Sequence, residues 1–345
     1  MKARAITLIP ERYSISSSIE ETLKYAGIEC TKLNSKNALS KWELDLNGQM
    51  FRVTRGIRNQ WARHINNKIY DWFVNEVNII LPDVVIIYNH EMITPDILGW
   101  LKEKKIKIIF ILGDSPFFSN TSQTNFLILK YADLILSPDT YWKIQLEKTG
   151  LKNIHHFLFP LPEKRYYPIN KSDNDNCFDA IYAGTSNNNS WGYKKALFLN
   201  YFTDSNFFLY GNTSWDLWLP LFPKLNSCFI PSPYVPSAKL NELYNNSKIV
   251  PIDGNAGLIN GLHIRIAEAI SSGVMPLMEW TADMDYVFEG IDNLPVVRNY
   301  REIPEILNWY LNNNGERISI LKKMMAVYID KYNYMTSSEL ICSIL

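Results

Sequence analysis

The sequence has few of the features that mark a specialised class of protein. It contains four scattered cysteines (Cys30, Cys177, Cys228 and Cys342), with no CxxC or His/Cys spacing suited to zinc. This usage predicts buried thiols in a reducing compartment and no metal site. No apolar run is long enough to cross a bilayer, and the apolar part of the N-terminal MKARAITLIPERY is too short for a signal peptide. We therefore expect a cytoplasmic protein.

The sequence also lacks an excess of either charge. Its 35 Lys and Arg residues balance 35 Asp and Glu, so the formal net charge is zero. No basic stripe indicates nucleic acid, and no long Lys/Arg run indicates an anionic membrane. The balance argues against nucleic acid as a partner, while peripheral contact with a membrane surface stays open.

Short apolar runs alternate with amphipathic segments along the first half of the chain. Runs of Val, Ile and Leu such as DVVIIYN are typical of parallel strands that are covered on both faces. An Asn47-Gly48 pair between alternating apolar residues predicts a hairpin. The pattern predicts a doubly wound α/β domain over residues 1–165, with strands near 4–9, 28–33, 83–89, 107–114, 132–138 and 153–159, and helices over 14–27, 57–79, 94–103, 122–131 and 139–149.

The alternation stops in a polar segment without periodicity and then begins again. Residues 166–176 are predicted to be a linker. A second α/β domain is predicted over residues 177–318, and helices over residues 319–345 can pack back on the first domain. Two such domains leave a cleft between the carboxyl ends of their sheets, where open α/β sheets bind ligands.

The most informative stretch is GLHIRIAEAISSGVMPLME, residues 261–279. Apolar residues at helical spacing predict one buried helix face: Leu262, Ile266, Ala269 and Ile270. Arg265 and Glu268 are expected on the opposite, exposed face. After a Gly/Asn-rich loop, such a helix can hold a sugar nucleotide, because Arg and free helix N–H groups suit a diphosphate and a carboxylate accepts ribose hydroxyls. An amphipathic helix with a surface ion pair is an equally open alternative.

Several segments resemble bacterial glycosyltransferases of the spore-maturation type, related to the group 1 glycosyl transferases. The first part, residues 82–117 and 131–162, is similar to the family's Pro-Asp plus strand, helix, and strand ending in Asp-x-Pro. FDAIYAGTSNNNSWGYKKALFLNYF and GLHIRIAEAISSG are similar to the opening and core of its second domain. The resemblance covers about residues 80–345. It implies the GT-B fold, in which two Rossmann-like domains face each other across a cleft.

The resemblance also implies a hexosyltransferase that uses a nucleoside-diphosphate sugar, with a UDP-sugar favoured. The donor would bind the second domain, and a hydroxyl of a glycan, a protein or another polymer would be the acceptor. Glu268 would accept the ribose hydroxyls. Arg265, with the backbone at Asn260 and Gly261, would face the diphosphate. No cofactor and no obligatory metal are expected, because helix dipoles and cations would replace the metal.

Further donor contacts are implied at the start of the second domain. Gly184 and Thr185 would let the backbone approach the phosphates, and Lys194 or Lys195 would neutralise the leaving group. An ordinary strand-to-helix turn and a solvated helix start are the alternatives for these residues. Many retaining enzymes carry a second glutamate eight positions before the ribose-binding one, but here that position is an amide. The stereochemical outcome is therefore open, and Glu279 is a further candidate at the sugar.

On the acceptor side, the resemblance places Asp114 at the end of a strand that faces the cleft. Its carboxylate could take the acceptor proton in an inverting transfer. His90, at the end of the preceding strand, is the rival base or an acceptor contact. A helix-capping aspartate and a hydrogen-bonded rim histidine are the structural alternatives.

Three other functions stay open. A nucleotide-sugar epimerase or a non-catalytic sugar-binding protein could use the same two-domain frame. A DNA base could be the acceptor if a basic patch is hidden in the fold. An aromatic stretch could stack on a base or a sugar, or pack in the core: Trp215, Trp218, Phe222 and Tyr234.

Overall fold

The computed structural model describes residues 2–11, 14–89, 93–117, 123–169, 178–255 and 257–345. The chain divides into two compact units, Met1–Phe157 with Tyr334–Leu345, and Leu158–Asn333. Within the described ranges, each unit contains one parallel six-stranded sheet flanked by helices. The prediction of two Rossmann-like α/β domains is confirmed.

The sheet of the first unit has the strand order β2-β1-β3-β4-β5-β6. Its central strands are buried because helices cover both faces, as their continuous apolar runs predict. The elements up to residue 157 are β1 (Arg4–Leu8), α1 (Ser14–Tyr25), β2 (Glu29–Lys32), α2 (Lys41–Asn47), α3 (Arg55–Ile80), β3 (Val84–Tyr88), α4 (Pro95–Glu103), β4 (Lys107–Ile111), α5 (Gln123–Ile128), β5 (Leu134–Ser137), α6 (Thr140–Lys148) and β6 (Ile154–His156).

The sheet of the second unit has the order β12-β11-β10-β7-β8-β9. Strands β7 and β10 lie side by side near its centre, so their carboxyl ends meet at one edge. Its elements are β7 (Phe178–Ala183), α7 (Ser190–Asn200), β8 (Phe207–Gly211), α8 (Pro223–Ser227), β9 (Phe229–Pro231), α9 (Ser237–Asn245), β10 (Ser247–Ile252), α10 (Arg265–Ser271), β11 (Met275–Glu279), α11 (Ala282–Val287), β12 (Val296–Val297), α12 (Ile303–Asn312) and α13 (Asn314–Lys331). The last helix, α14 (Tyr334–Cys342), belongs to the first unit.

The predicted hairpin at Asn47-Gly48 is wrong, because residues 41–47 form the helix α2. Glu43 Oε2 accepts hydrogen bonds from the backbone N–H and the hydroxyl of Ser40, at 2.8 and 2.6 Å. This capping arrangement favours a helix start over a strand. The Oε1 atom of the same carboxylate accepts a 2.6 Å hydrogen bond from Lys68 Nζ on α3, which fixes α2 against α3.

The C-terminal helices belong to different units. Helix α13 packs against α10 and β11, whereas α14 packs against α1 of the first unit. Cys30 and Cys228 are half-buried and Cys342 is exposed, so the expectation of buried thiols is wrong for these three. In the described part of the chain, no helix is both long and apolar enough to cross a membrane.

The first residues of the predicted linker are attached to the second unit. Tyr166 is buried, and its carbonyl accepts a 2.6 Å hydrogen bond from Ser271 Oγ on α10. The backbone N–H groups of Tyr167 and Ile169 donate to Asn241 Oδ1 and Asn245 Oδ1 on α9, at 3.1 and 2.7 Å. Residues 170–176 of the predicted linker lie outside the described residues.

Asn241 is the centre of this attachment, and its loss is expected to destabilise the second unit. Its buried Oδ1 accepts hydrogen bonds from the Tyr167 N–H, Ser272 Oγ and Asn245 Nδ2. Asn241→Ala should lower the free energy of unfolding in urea by about 1–3 kcal/mol, because buried donors lose their acceptor. The exposed Asn308→Ala should change it by less than about 0.5 kcal/mol. Equal effects of the two substitutions would contradict this assignment.

Candidate functional site

A cavity of about 210 Å³ lies at the carboxyl end of the second unit's sheet. This edge of an open parallel sheet is where α/β folds bind ligands. The walls come from β7 and its loop, from the start of α7, from the loop after β10, and from the start of α10. The described lining residues are Tyr182, Thr185, Asn187, Trp191, Lys195, Asp253, Gly254, Asn255, His263 and Arg265.

A buried carboxylate organises the wall of the cavity. Asp253, 7% exposed, accepts a 2.8 Å hydrogen bond from the Tyr182 hydroxyl and lies 3.4 Å from Lys195 Nζ. Burial alone would raise the pKa of Asp253, but the charges of Lys195 and Arg265 reverse this and lower it. The pKa of Lys195 is raised, since Tyr182 and Asp253 overcome the opposite effect of burial. Both groups are therefore charged at neutral pH.

Arg265 lies over the ring of Tyr182, with its Cζ atom 4.9 Å from the ring centroid. This is a cation–π contact in a partly buried site. Gly184 provides the space for the guanidinium, because a Cβ atom there would lie 2.5 Å from Arg265 Nη2. The pKa of Arg265 is raised, since Tyr182, Tyr244 and Asp253 outweigh burial, which lowers it. The cavity thus contains a fixed positive charge.

The prediction that Arg265 and Glu268 lie on an exposed helix face is wrong. Arg265 is half-buried in the cavity wall, and Glu268 is 7% exposed and absent from the described lining residues. The buried Tyr166 and Tyr244 lie near the Glu268 carboxylate, whose charge contributes, after burial, to the raised pKa of Tyr166. The predicted apolar face is buried as expected, but α10 is covered on its other side as well.

The two candidate lysines have different surroundings. Lys195 faces the cavity and donates a 3.0 Å hydrogen bond to the carbonyl of Thr185. Lys194 instead pairs with Glu279, whose Oε2 atom accepts a 2.8 Å hydrogen bond from the Gly254 N–H. Lys194 and Glu279 therefore fix the backbone at the rim of the cavity.

The segment that follows β8 holds the loop after β7 through three hydrogen bonds. Trp215 Nε1 donates to the Gly184 carbonyl at 2.8 Å, and Trp218 Nε1 donates to the Asn187 carbonyl at 2.6 Å. Between them, the Ser186 N–H donates to Ser214 Oγ at 2.8 Å. Trp215 is fully buried, so it packs in the core and is not available to stack on a base or a sugar.

Asn260 and Gly261 are not among the described lining residues. The carbonyl of Asn260 accepts a 3.0 Å hydrogen bond from the Asp283 N–H, and that of Gly261 accepts one from Thr281 Oγ1 at 3.3 Å. These contacts tie the loop before α10 to the start of α11. Asp283 and Asp285 lie in the first turn of α11.

In the first unit, the exposed Asp114 follows the carboxyl end of β4. Its Oδ2 atom accepts a 2.8 Å hydrogen bond from Asn89 Nδ2, and Asn89 Oδ1 accepts a 2.9 Å hydrogen bond from the Gly113 N–H. Asn89 thus orients the carboxylate from the end of the neighbouring strand. His90, the rival base, lies outside the described residues.

Of the described lining residues, only Thr185, Lys195 and Arg265 were predicted as site residues from the sequence. Those missed include three with chemically important side chains: Tyr182, Asp253 and His263. Asp253 is the first residue of the Gly/Asn-rich loop that follows a buried strand. Because open α/β sheets bind ligands at the carboxyl ends of their strands, this position could have identified Asp253 from the sequence. His263 Nδ1 accepts a 3.1 Å hydrogen bond from the Arg265 N–H, which places the proton of a neutral ring on Nε2. Burial, with the charge of Arg265, lowers the pKa of His263 to about 3.

The charges of the cavity favour an anionic ligand. The described lining residues include two cations, Lys195 and Arg265, and one carboxylate, Asp253. The excess positive charge and the backbone of the loop after β7 suit phosphate oxygens. Among the described residues, no group of three His, Cys, Asp or Glu side chains could hold a metal ion.

The low pKa of His263 predicts a specific loss of stability in mild acid. The unfolded chain binds this proton near pH 6.5 and the folded chain only near pH 3, so stability falls as the pH drops below about 6.5. Between pH 7 and pH 5 the wild type should lose about 2 kcal/mol more than His263→Asn, measured by urea unfolding at each pH. The exposed His155→Asn should keep the wild-type pH dependence. The same pH dependence in His263→Asn would contradict the assignment.

A comparison with known protein families finds a match that covers most of the second unit. Residues 195–343 match the model of a family described as glycosyl transferase-like. No curated protein matches the sequence significantly.

Solved structures resemble the whole chain, at low sequence identity. The sucrose-phosphate synthase of Thermosynechococcus elongatus is 8% identical, with a TM-score of 0.70 over 100% of this chain and 98% of that one. An E. coli trehalose-6-phosphate protein bound with UDP-2-fluoro glucose is 12% identical, with a TM-score of 0.65 over 99% and 98%. The Neisseria meningitidis UDP-GlcNAc 2-epimerase bound to UDP-GlcNAc is 13% identical, with a TM-score of 0.59 over 100% and 99%. The family match and the shared fold together support a glycosyltransferase with the GT-B fold.

Proposed function

We propose that the protein transfers a sugar from a nucleoside-diphosphate sugar, with a UDP-sugar favoured, to a hydroxyl group of an acceptor. The observation that carries the proposal is the cavity with Arg265 and Lys195 fixed around one buried carboxylate. Two cations and one anion leave an excess positive charge for a diphosphate. Two of the similar structures contain UDP-sugars, which supports the choice of donor.

In the proposed reaction, the bond between the anomeric carbon and the diphosphate oxygen breaks, and its electron pair stays on the diphosphate. Arg265 forms a forked contact with the phosphates, and Lys195 adds a point charge against the developing negative charge. The loop after β7, held by Trp215 and Trp218, presents its backbone to the same group. Charged side chains thus take the place of a metal ion, so EDTA should leave the reaction unchanged.

We assign the remaining donor contacts to the residues that the family resemblance implies. The carboxylate of Glu268, which is buried and absent from the described lining of the cavity, would have to become accessible to accept the ribose hydroxyls, and the backbone at Asn260 and Gly261 would lie beside the nucleotide. Lys194 and Glu279 act indirectly, by fixing Gly254 at the rim of the cavity. We also propose that the protein is of the spore-maturation type and that its acceptor is a glycan, a protein or another polymer.

On the acceptor side, a base takes the proton of the attacking hydroxyl as its oxygen bonds to the anomeric carbon. Asp114 is the proposed base for an inverting transfer, because its carboxylate is exposed and oriented by Asn89. His90 is the other candidate.

A nucleotide-sugar epimerase is the second candidate function, favoured by the similarity to the UDP-GlcNAc 2-epimerase. Product analysis distinguishes the two, since an epimerase leaves the sugar on the nucleotide.

The donor is identified by thermal unfolding with a panel of nucleotide sugars. A ligand that binds the second unit raises the melting temperature as its concentration exceeds its dissociation constant. We expect UDP and a UDP-sugar to protect the protein and uridine to protect it far less.

Arg265→Gln should weaken UDP binding by about tenfold or more, because a charged contact to phosphate is lost. Arg301→Gln, at an exposed arginine, is the matched control, and equal binding by both variants would contradict the proposal.

The space beside Arg265 provides a second test that leaves every charge in place. In Gly184→Ala, the new Cβ atom would displace the Arg265 guanidinium, which is the flexible end of a side chain. We expect weaker UDP binding by titration calorimetry with little loss of fold stability. The matched control is Gly99→Ala in α4, where the new Cβ atom meets no atom within 4 Å. This control should leave the UDP affinity unchanged. Unchanged UDP affinity in Gly184→Ala would show that the diphosphate does not depend on this position of Arg265.

A further inference from the structure

Helix α2 and the start of α3 expose several large apolar side chains. Trp42 and Ile57 are 59% and 57% exposed, and Leu46 and Val53 are each more than one third exposed. Trp42 and Leu46 lie four residues apart on α2, as Ile57 and Trp61 do on α3, so each pair shares a helix face. The rings of Trp42 and Trp61 are 5.9 Å apart and join the two faces. We call this apolar area, with the basic residues around it, the α2–α3 surface.

The start of α3 has no covering element in the described part of the chain. Residues 55–64 contain no buried side chain, whereas Ile65, Ile69, Phe73 and Val77 are buried further along the same helix. The first part of α3 is nevertheless fixed by side-chain hydrogen bonds to α2. Trp61 Nε1 donates a 3.0 Å hydrogen bond to Asn47 Oδ1, and Lys68 Nζ bonds the buried Glu43.

Basic residues are concentrated in the same segment. Residues 36–68 contain seven of the chain's 35 Lys and Arg residues but only two of its 35 Asp and Glu. One of the two acids, Glu43, is buried and bonded to Lys68. A chain of zero net charge thus has a strongly cationic region, and the remainder carries the opposite excess. The exposed cations beside the apolar stripe are Lys41, Arg52, Arg55, Arg58 and Arg63.

We propose that the α2–α3 surface docks on an anionic lipid membrane. Exposed Trp and aliphatic side chains surrounded by Lys and Arg are typical of helices that lie in a membrane interface. The cations are attracted to anionic headgroups, and the apolar residues insert at the boundary with the acyl chains. This inference is independent of the proposed function, because none of its residues lines the cavity.

Two other occupants fit the same surface less well. Nucleic acid would contact the cations but would leave the large apolar side chains in water. A second copy of the chain in a two-fold dimer would bring like charges together, which opposes association. Both become outcomes of the test.

The test measures sedimentation of the full chain with lipid vesicles of two compositions. We expect binding to phosphatidylcholine vesicles that contain one third phosphatidylglycerol, and at least about tenfold weaker binding to phosphatidylcholine alone. Arg55→Glu with Arg58→Glu should reduce binding to the anionic vesicles by about tenfold or more. Trp42→Ala with Ile57→Ala should also reduce it, and more of that loss should persist at high salt.

The matched control is Lys322→Glu with Lys323→Glu, which makes the same change in net charge on the exposed face of α13. It should bind anionic vesicles like the wild type. An equal loss in this control, or equal binding to both vesicle types, would overturn the proposal. Binding to duplex DNA without binding to vesicles would also overturn it, and so would a dimer in solution that Ile57→Glu dissociates. Circular dichroism and UDP protection should be unchanged in all variants, which shows that they are folded.

Discussion

The cavity proposed as the donor site depends on the buried carboxylate of Asp253 and the two cations that surround it. Tyr182 donates a hydrogen bond to this carboxylate, Lys195 pairs with it, and Arg265 lies over the ring of Tyr182. Without Asp253, two positive charges would be held together in a partly buried cavity. With it, both cations are fixed, and their excess charge is directed at the space where a diphosphate would bind. Electrostatic preorganisation of this kind is what a departing diphosphate requires.

The loop after β7 depends on space as much as on hydrogen bonds. A Cβ atom at Gly192 would lie 2.3 Å from Trp218 Nε1, and one at Gly211 would lie 2.3 Å from Trp215. These glycines therefore make room for the two indoles whose N–H groups hold the loop. A short aromatic segment after β8 thus fixes the backbone that forms one wall of the cavity.

The regular elements were predictable, because strands covered on both faces and helices with one apolar face leave clear periodic patterns. The site was predictable only in part. Arg265 was predicted from the helix after the Gly/Asn-rich loop, and Lys195 was one of two lysines that the family resemblance implied; both line the cavity. The contact between Tyr182 and Asp253 joins residues 71 positions apart and leaves no local pattern. The burial of Glu268 was missed because it depends on side chains from other elements. The hairpin predicted at Asn47-Gly48 was wrong for the same reason. Glu43, which caps α2, also bonds Lys68, a residue 25 positions away, and this contact leaves no local pattern.

The proposed function depends most on where the diphosphate binds. A crystal structure of the protein with UDP measures this directly. We expect phosphate oxygens within hydrogen-bond distance of the Arg265 guanidinium and of Lys195 Nζ, with Asp253 still bonded to Tyr182. A diphosphate bound elsewhere on the protein, with neither cation in contact with it, would contradict the account.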